Sequence, residues 1–188
     1  SMKPVLMRHV ETTNESFKAR KNGNPYLHNP WHYHPEVEIT LITKGEGVLF
    51  IGDKISKYSN QELVMIGSNL PHEWRSDSNP SNDHYSECLA VHFNKNFPGE
   101  EFYKIPEALP INYLLDLSLR GIKVNEEAAK FFIREKLLLL IKTTGIERIN
   151  ILFSILNRIS CCSDIELLSS AGFFNSINDR QTDRMNII

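Results

Sequence analysis

Cysteine is scarce, basic runs are missing, and no apolar stretch is long enough to span a bilayer. Each shortage removes a class of protein. Only three cysteines occur in 188 residues, Cys88 and the neighbours Cys161 and Cys162. An odd count with an adjacent pair is no disulfide framework, and it suits a reducing cytoplasm. Lys and Arg number 21 against 23 Asp and Glu, for a formal net charge of −2. Without a basic cluster, these residues alone are poorly equipped to hold nucleic acid tightly. The most apolar run, Leu137 to Ile141, is short and lies between Lys136 and Lys142. That is far below the length of a membrane span. No segment has the pattern of a signal peptide. The chain is long enough for one domain with an appended subdomain and a sizeable core.

What the sequence does have is a dense group of imidazoles and carboxylates. Trp31-His32-Tyr33-His34-Pro35-Glu36-Val37-Glu38, followed by Gly45, reads His-x-His-x3-Glu-x6-Gly. Read as one strand, residues 32, 34, 36 and 38 share a face, because side chains alternate with a period of two. A second block, Gly67-Ser68-Asn69-Leu70-Pro71-His72-Glu73-Trp74, supplies another His and a Trp of the same parity.

The pattern changes near residue 106. Before it, short alternating runs separated by turn signals predict strands over 37–43, 48–51, 62–66 and 84–93, with an exposed loop over 76–83. After it, helical spacing predicts helices over 106–119, 125–143 and 146–162, with Asn125 as N-cap of the second. In the third helix, Ile149, Leu152, Phe153, Leu156 and Ile159 form one apolar stripe, and Ile151, Ile155 and Cys162 a second. Two apolar faces call for two partners, either neighbouring helices of the same chain or a second subunit. The polar tail over 163–188 ends in Asp179-Arg180-Gln181-Thr182-Asp183-Arg184-Met185-Asn186, the opening of a helix without a stop signal.

The paired blocks resemble the two motifs of the cupin family, a small β-barrel (jelly roll). The whole chain resembles something narrower, the N-terminal region of AraC-family transcription regulators. The carrying residues are the His32 to Glu38 block, Gly45-x-Gly47 and Asn69-Leu70-Pro71-His72-x-Trp74. Further ones are Phe97-Pro98-Gly99-Glu100-x-Phe102, Leu168-Ser169-Ser170-x-Gly172-Phe173 and Asp183-Arg184-Met185-Asn186. Departures from the cupin pattern are Tyr26 before the His pair, Gly67 and Asn69 in the second block, and Ser76 at its close.

The resemblance implies a mainly β fold with added helices: a cupin-type barrel over 1–105, a helical dimerisation subdomain over 106–162, and over 163–188 a tail opening a linker helix. It implies a domain that senses a small polar effector, a sugar among the candidates, and that pairs as a homodimer. DNA would be bound only by a helix-turn-helix domain outside this sequence, and no membrane is involved. It also implies that His32, His34, Glu38 and His72 stand where metal-binding cupins place their ligands. Three nitrogens and a carboxylate suit zinc, nickel, iron or manganese. A hydrated pocket in which these groups bond to one another or to an effector is the other reading. Effector contacts are expected from Glu36, Trp74, His92 and Arg8, each of which also has an ordinary core or surface reading. Ile151 and Ile155 are expected at the dimer contact. The alternative function is a metal-dependent cupin enzyme, an isomerase or dioxygenase.

Overall fold

The computed structural model describes residues 3–8, 14–24, 30–76 and 86–173. Nine strands come first: β1 (Val5–Leu6), β2 (Phe17–Asn24), β3 (His32–Tyr33), β4 (Glu36–Lys44), β5 (Gly47–Ile51), β6 (Lys54–Tyr58), β7 (Leu63–Ile66), β8 (His72–Ser76) and β9 (Ser86–Asn94). Short 3-10 turns over Glu100–Lys104 and Pro106–Ala108 lead to α1 (Leu109–Ser118). Then follow β10 (Ile122–Val124), α2 (Glu127–Lys142), α3 (Ile146–Ser160) and β11 (Ile165–Leu167).

The strands form two sheets. The first has the order β1-β3-β8-β5-β6, the second β11-β10-β7-β4-β9-β2. This is the cupin-type double sheet with helices added. The central strands β7, β4 and β9 of the second sheet are buried on both sides, and their alternation sorts the side chains. Val37, Ile39 and Leu41 of β4, with Leu89, Val91 and Phe93 of β9, belong to an apolar core shared with the three helices. The residues between them face the first sheet, where Ile42, Val64, Ile66 and Cys88 pack with Leu49, Ile51, Tyr58, Leu70 and Trp74.

Several expectations need correction. β2, β6 and β8 are strands that the hydrophobic pattern did not announce: Lys-rich β2 pairs along its whole length with β9, so tertiary pairing overrides a weak local signal. The boundary near residue 106 does not divide strands from helices, because β10 pairs with β7 and β11 with β10. Gly121 permits the return from α1 to β10. It has φ +70°, and a Cβ there would lie 2.6 Å from Ile51 Cδ1. Asn125 does not cap α2: its side chain bonds to Asp164 Oδ1, and Glu126 occupies the N-cap position.

The largest correction concerns α3. Ile151 and Ile155, expected at a contact between subunits, are buried within the single chain together with Leu152, Leu156 and Ile159. α3 packs against both α1 and α2, so the second apolar stripe is covered from inside. All three cysteines are free, as an odd count with an adjacent pair implied; Cys88 is buried and Cys161 exposed. Residues 77–83 of the expected loop and the helix opening after residue 179 lie outside the described residues. Among the described residues no helix is long and apolar enough to cross a membrane.

Candidate functional site

The site forms where the chain passes from one sheet to the other. His32 is on β3 in the first sheet, and Glu38 is on β4 in the second. The single strand expected over residues 32–38 is therefore broken at His34-Pro35. Proline has no N–H to give a ladder, which suits a point where the chain leaves one sheet. Two cross-strand pairs face each other over this crossing. His32 is opposite His72 in the first sheet, and Glu38 is opposite His92 in the second. His34 lies on the crossing itself.

The Glu38 carboxylate is the centre of the group. Its Oε2 lies 3.2 Å from His34 Nε2, 3.3 Å from His72 Nε2 and 3.2 Å from His92 Nε2. Its Oε1 accepts a bond of 2.5 Å from Thr40 Oγ1. The His32 ring lies beside that of His72, tilted by 56° with centroids 4.2 Å apart. All of these side chains are buried. The ligand atoms of His32, His34 and His72 lie within 4.8 Å of one another, as do those of His34, Glu38 and His92.

Three imidazoles are oriented by backbone carbonyls. His32 Nδ1 donates to Pro30 O at 2.7 Å, His34 Nδ1 to Glu36 O at 2.9 Å, and His72 Nδ1 to Leu70 O at 2.8 Å. A carbonyl can only accept, so each Nδ1 carries the proton, and a ring without a second proton turns an Nε2 lone pair inward. This outer support is what metal-bound histidines generally have. For the rings around Glu38 to donate to it as well, His34 and His72 would need a second proton. His72 Nε2 has no hydrogen bond of good geometry, despite its closeness to the carboxylate. The donor set therefore fits a divalent ion. Ligands about 2.0–2.2 Å from zinc, at the angles between neighbouring positions, are themselves roughly 3.0–3.6 Å apart.

The electrostatics agree with a carboxylate kept ionised among imidazoles. Burial pushes the Glu38 carboxyl up, but the neighbouring His92, His34 and His72 outweigh it and hold the group well below the usual range. His34 experiences burial in the opposite sense, and its bond to Glu38 raises it overall. Burial, with His72 adding to it, lowers His32 to about 4. Burial also lowers His92, in spite of Glu38. Buried Cys88 is pushed up to about 11 by desolvation, which leaves it an inert thiol.

The other expected residues divide. Glu36 is buried on the same face of β4 as Glu38, with Oε2 3.8 Å from His34 Nδ1. Trp74 lies in the core between the sheets, edge-on to Tyr58 at 5.1 Å, and its indole N–H is buried without a hydrogen-bond partner among the described residues. Arg8 is not brought in. It is exposed beyond β1, a two-residue edge strand, and its assignment to the effector site is corrected accordingly. Thr40 was missed, although it has the parity of Glu38. The three carbonyls were missed because backbone atoms leave no mark in a sequence.

Residues 17–89 match the AraC-like ligand binding domain family. No curated protein sequence matches the chain. Among solved structures, unsaturated fatty acid bound ToxT from Vibrio cholerae is 14% identical, with 91% of this chain and 57% of that chain covered and a TM-score of 0.48. A cupin 2 conserved barrel domain protein from Rhodopseudomonas palustris is 20% identical over 45% of this chain and 57% of that chain, with a TM-score of 0.37. A putative mannose-6-phosphate isomerase from Ralstonia eutropha is 14% identical over 45% of this chain and 79% of that chain, with a TM-score of 0.38. The chain thus spans just over half the length of the first two.

Proposed function

We propose that this chain, whose residues 17–89 carry an AraC-like ligand binding domain, is the effector-sensing region of a transcription regulator. The family match is the observation that carries the reading. In this reading a small polar molecule binds between the sheets. Glu36, beside the cluster, offers a carboxylate, and Trp74 offers an indole N–H that now has no acceptor. A buried donor without a partner costs about 1–3 kcal/mol, so an acceptor supplied by a ligand would be favourable there. DNA is contacted only by a helix-turn-helix domain outside these residues.

The same reading assigns His32, His34, Glu38 and His72 to a divalent ion. The ion would supply positive charge at the crossing between the sheets, and the chain would hold it by rings whose Nδ1 atoms are fixed on carbonyls. We also infer a homodimer. With Ile151 and Ile155 inside the subunit, the apolar side chains left for a partner include the exposed Phe131 and Leu139 of α2.

A thermal-shift screen of sugars and small organic acids tests the proposal. A compound that raises the melting temperature, and does so less with Glu36→Ala or Trp74→Phe, supports it. Turnover of that compound by metal-loaded protein would replace it with the enzyme reading, because an open-sided metal can polarise a substrate. Sedimentation at micromolar concentration tests the dimer, and a monomer there would remove that part.

A further inference from the structure

The four ligands implied by the sequence pattern come from the crossing segment and from β8. The structure brings a fifth donor beside two of them: His92 lies with His34 and Glu38 in one group of ligand atoms, and His34 also belongs to the group of His32 and His72. His92 is on β9, directly opposite Glu38 in the ladder, and its parity turns it away from Val91 and Phe93, which pack on the helices. Its Nε2 is as close to Glu38 Oε2 as His34 Nε2 is, at 3.2 Å in both cases. The His34 and His92 rings meet edge to face with centroids 5.3 Å apart, so both nitrogens approach one oxygen from different directions. Those separations are what neighbouring ligands of one ion would show.

We propose that His92 is a metal ligand, completing a centre of four imidazoles and one carboxylate around one divalent ion. The proposal rests on the metal-binding reading above and extends it. A first-row divalent ion takes roughly four to six ligands. Five protein donors leave at most one position for anything else. With five ligands in all the centre is closed, and with six it keeps a single position for water or another small ligand. The ion then ties the two sheets together, with His32 and His72 from one and Glu38 and His92 from the other. Four imidazoles also favour zinc, nickel or copper over manganese, since nitrogen ligands suit the later metals.

Zinc-loaded wild-type protein, measured by X-ray absorption, reads the imidazole count without any substitution. Four imidazoles are expected. Cobalt-loaded protein should show the weak visible absorption of a five- or six-coordinate ion. In His92→Ala it should shift to the stronger absorption of a four-coordinate one. Zinc affinity should fall about tenfold or more in His92→Ala, the scale on which even outer partners of a metal act. His92→Gln, a closer match in volume, serves if the Ala variant does not fold. Three imidazoles in the wild type, with zinc affinity unchanged by His92→Gln but lost in His34→Ala, would overturn the role of His92 and leave the metal reading standing. Wild-type protein that takes up neither zinc nor cobalt would overturn both.

Discussion

β4 and β9 are each buried on both faces, and only one of the two faces carries buried charge. Toward the helices they present Val37, Ile39, Leu41, Leu89, Val91 and Phe93, an apolar layer without a charge. Toward the other sheet the same strands present Glu36, Glu38, Thr40 and His92, all buried as well. The first face follows from the hydrophobic effect alone and would serve any protein. The second is costly, since buried charges and unpartnered polar groups are tolerated only when paired or coordinated. In the proposed reading, the ligand bound at this face offsets that cost.

Damage to the helix side should have the largest effect. Ile151→Asp would place a charge among side chains fully covered by the same chain, and the subunit should unfold rather than dissociate, by at least about 3 kcal/mol. Circular dichroism with urea titration reads this directly. A folded variant whose only change is a lower association state would show that α3 faces a partner after all.

On the other face, Glu38→Gln should leave the helices folded but weaken metal binding by about tenfold or more. The Gln keeps the volume and removes the charge on which three imidazoles converge. Competition with a chelator measures it, and unchanged affinity would mean that the carboxylate serves only as a hydrogen-bond acceptor.

Acid should separate the two faces with a moderate effect. His32 has a folded pKa of about 4, against roughly 6.5 in an unfolded chain. The unfolded state then binds more protons between those values, so stability falls as pH drops through that window. His92, lowered too, acts in the same sense. Glu38 adds a loss at still lower pH, as pH falls through its depressed folded value. His34 is raised and opposes the trend, since its contribution is present in acid and lost as pH rises. The melting temperature of metal-free protein should therefore fall from pH 7 to pH 4. An increase over this range would show that His34 dominates.

Trp74→Phe should be the mildest change. It removes a buried N–H that has no acceptor, which stabilises, and leaves a smaller ring against Tyr58, which loses packing. The two offset, so stability should move by less than about 1 kcal/mol. A large loss in thermal unfolding would reveal a partner for that N–H.

The convergence of His32, His34, Glu38 and His72 was legible in the sequence because a fixed short spacing and a paired second block carry it. The helices were legible within a few residues because their apolar stripes are long. β2 was not, since Lys18, Arg20 and Lys21 hide its alternation and its register comes wholly from β9. Arg8 was misplaced because one residue just beyond a short edge strand carries no signal of its surroundings. The stripe of Ile151 and Ile155 was read correctly as apolar, but periodicity cannot say whose side chains cover it.

The sequence by itself determined the kinds of group available at the site and the strand and helix periods that sort them into faces. Those are local properties, set by side-chain chemistry and backbone geometry. Only the tertiary structure decided that the chain changes sheets at Pro35, that His92 arrives opposite Glu38, and that α3 is covered from within. Each of these depends on residues far apart in the chain meeting through pairing and packing, and no local pattern encodes which distant surface will cover a given face.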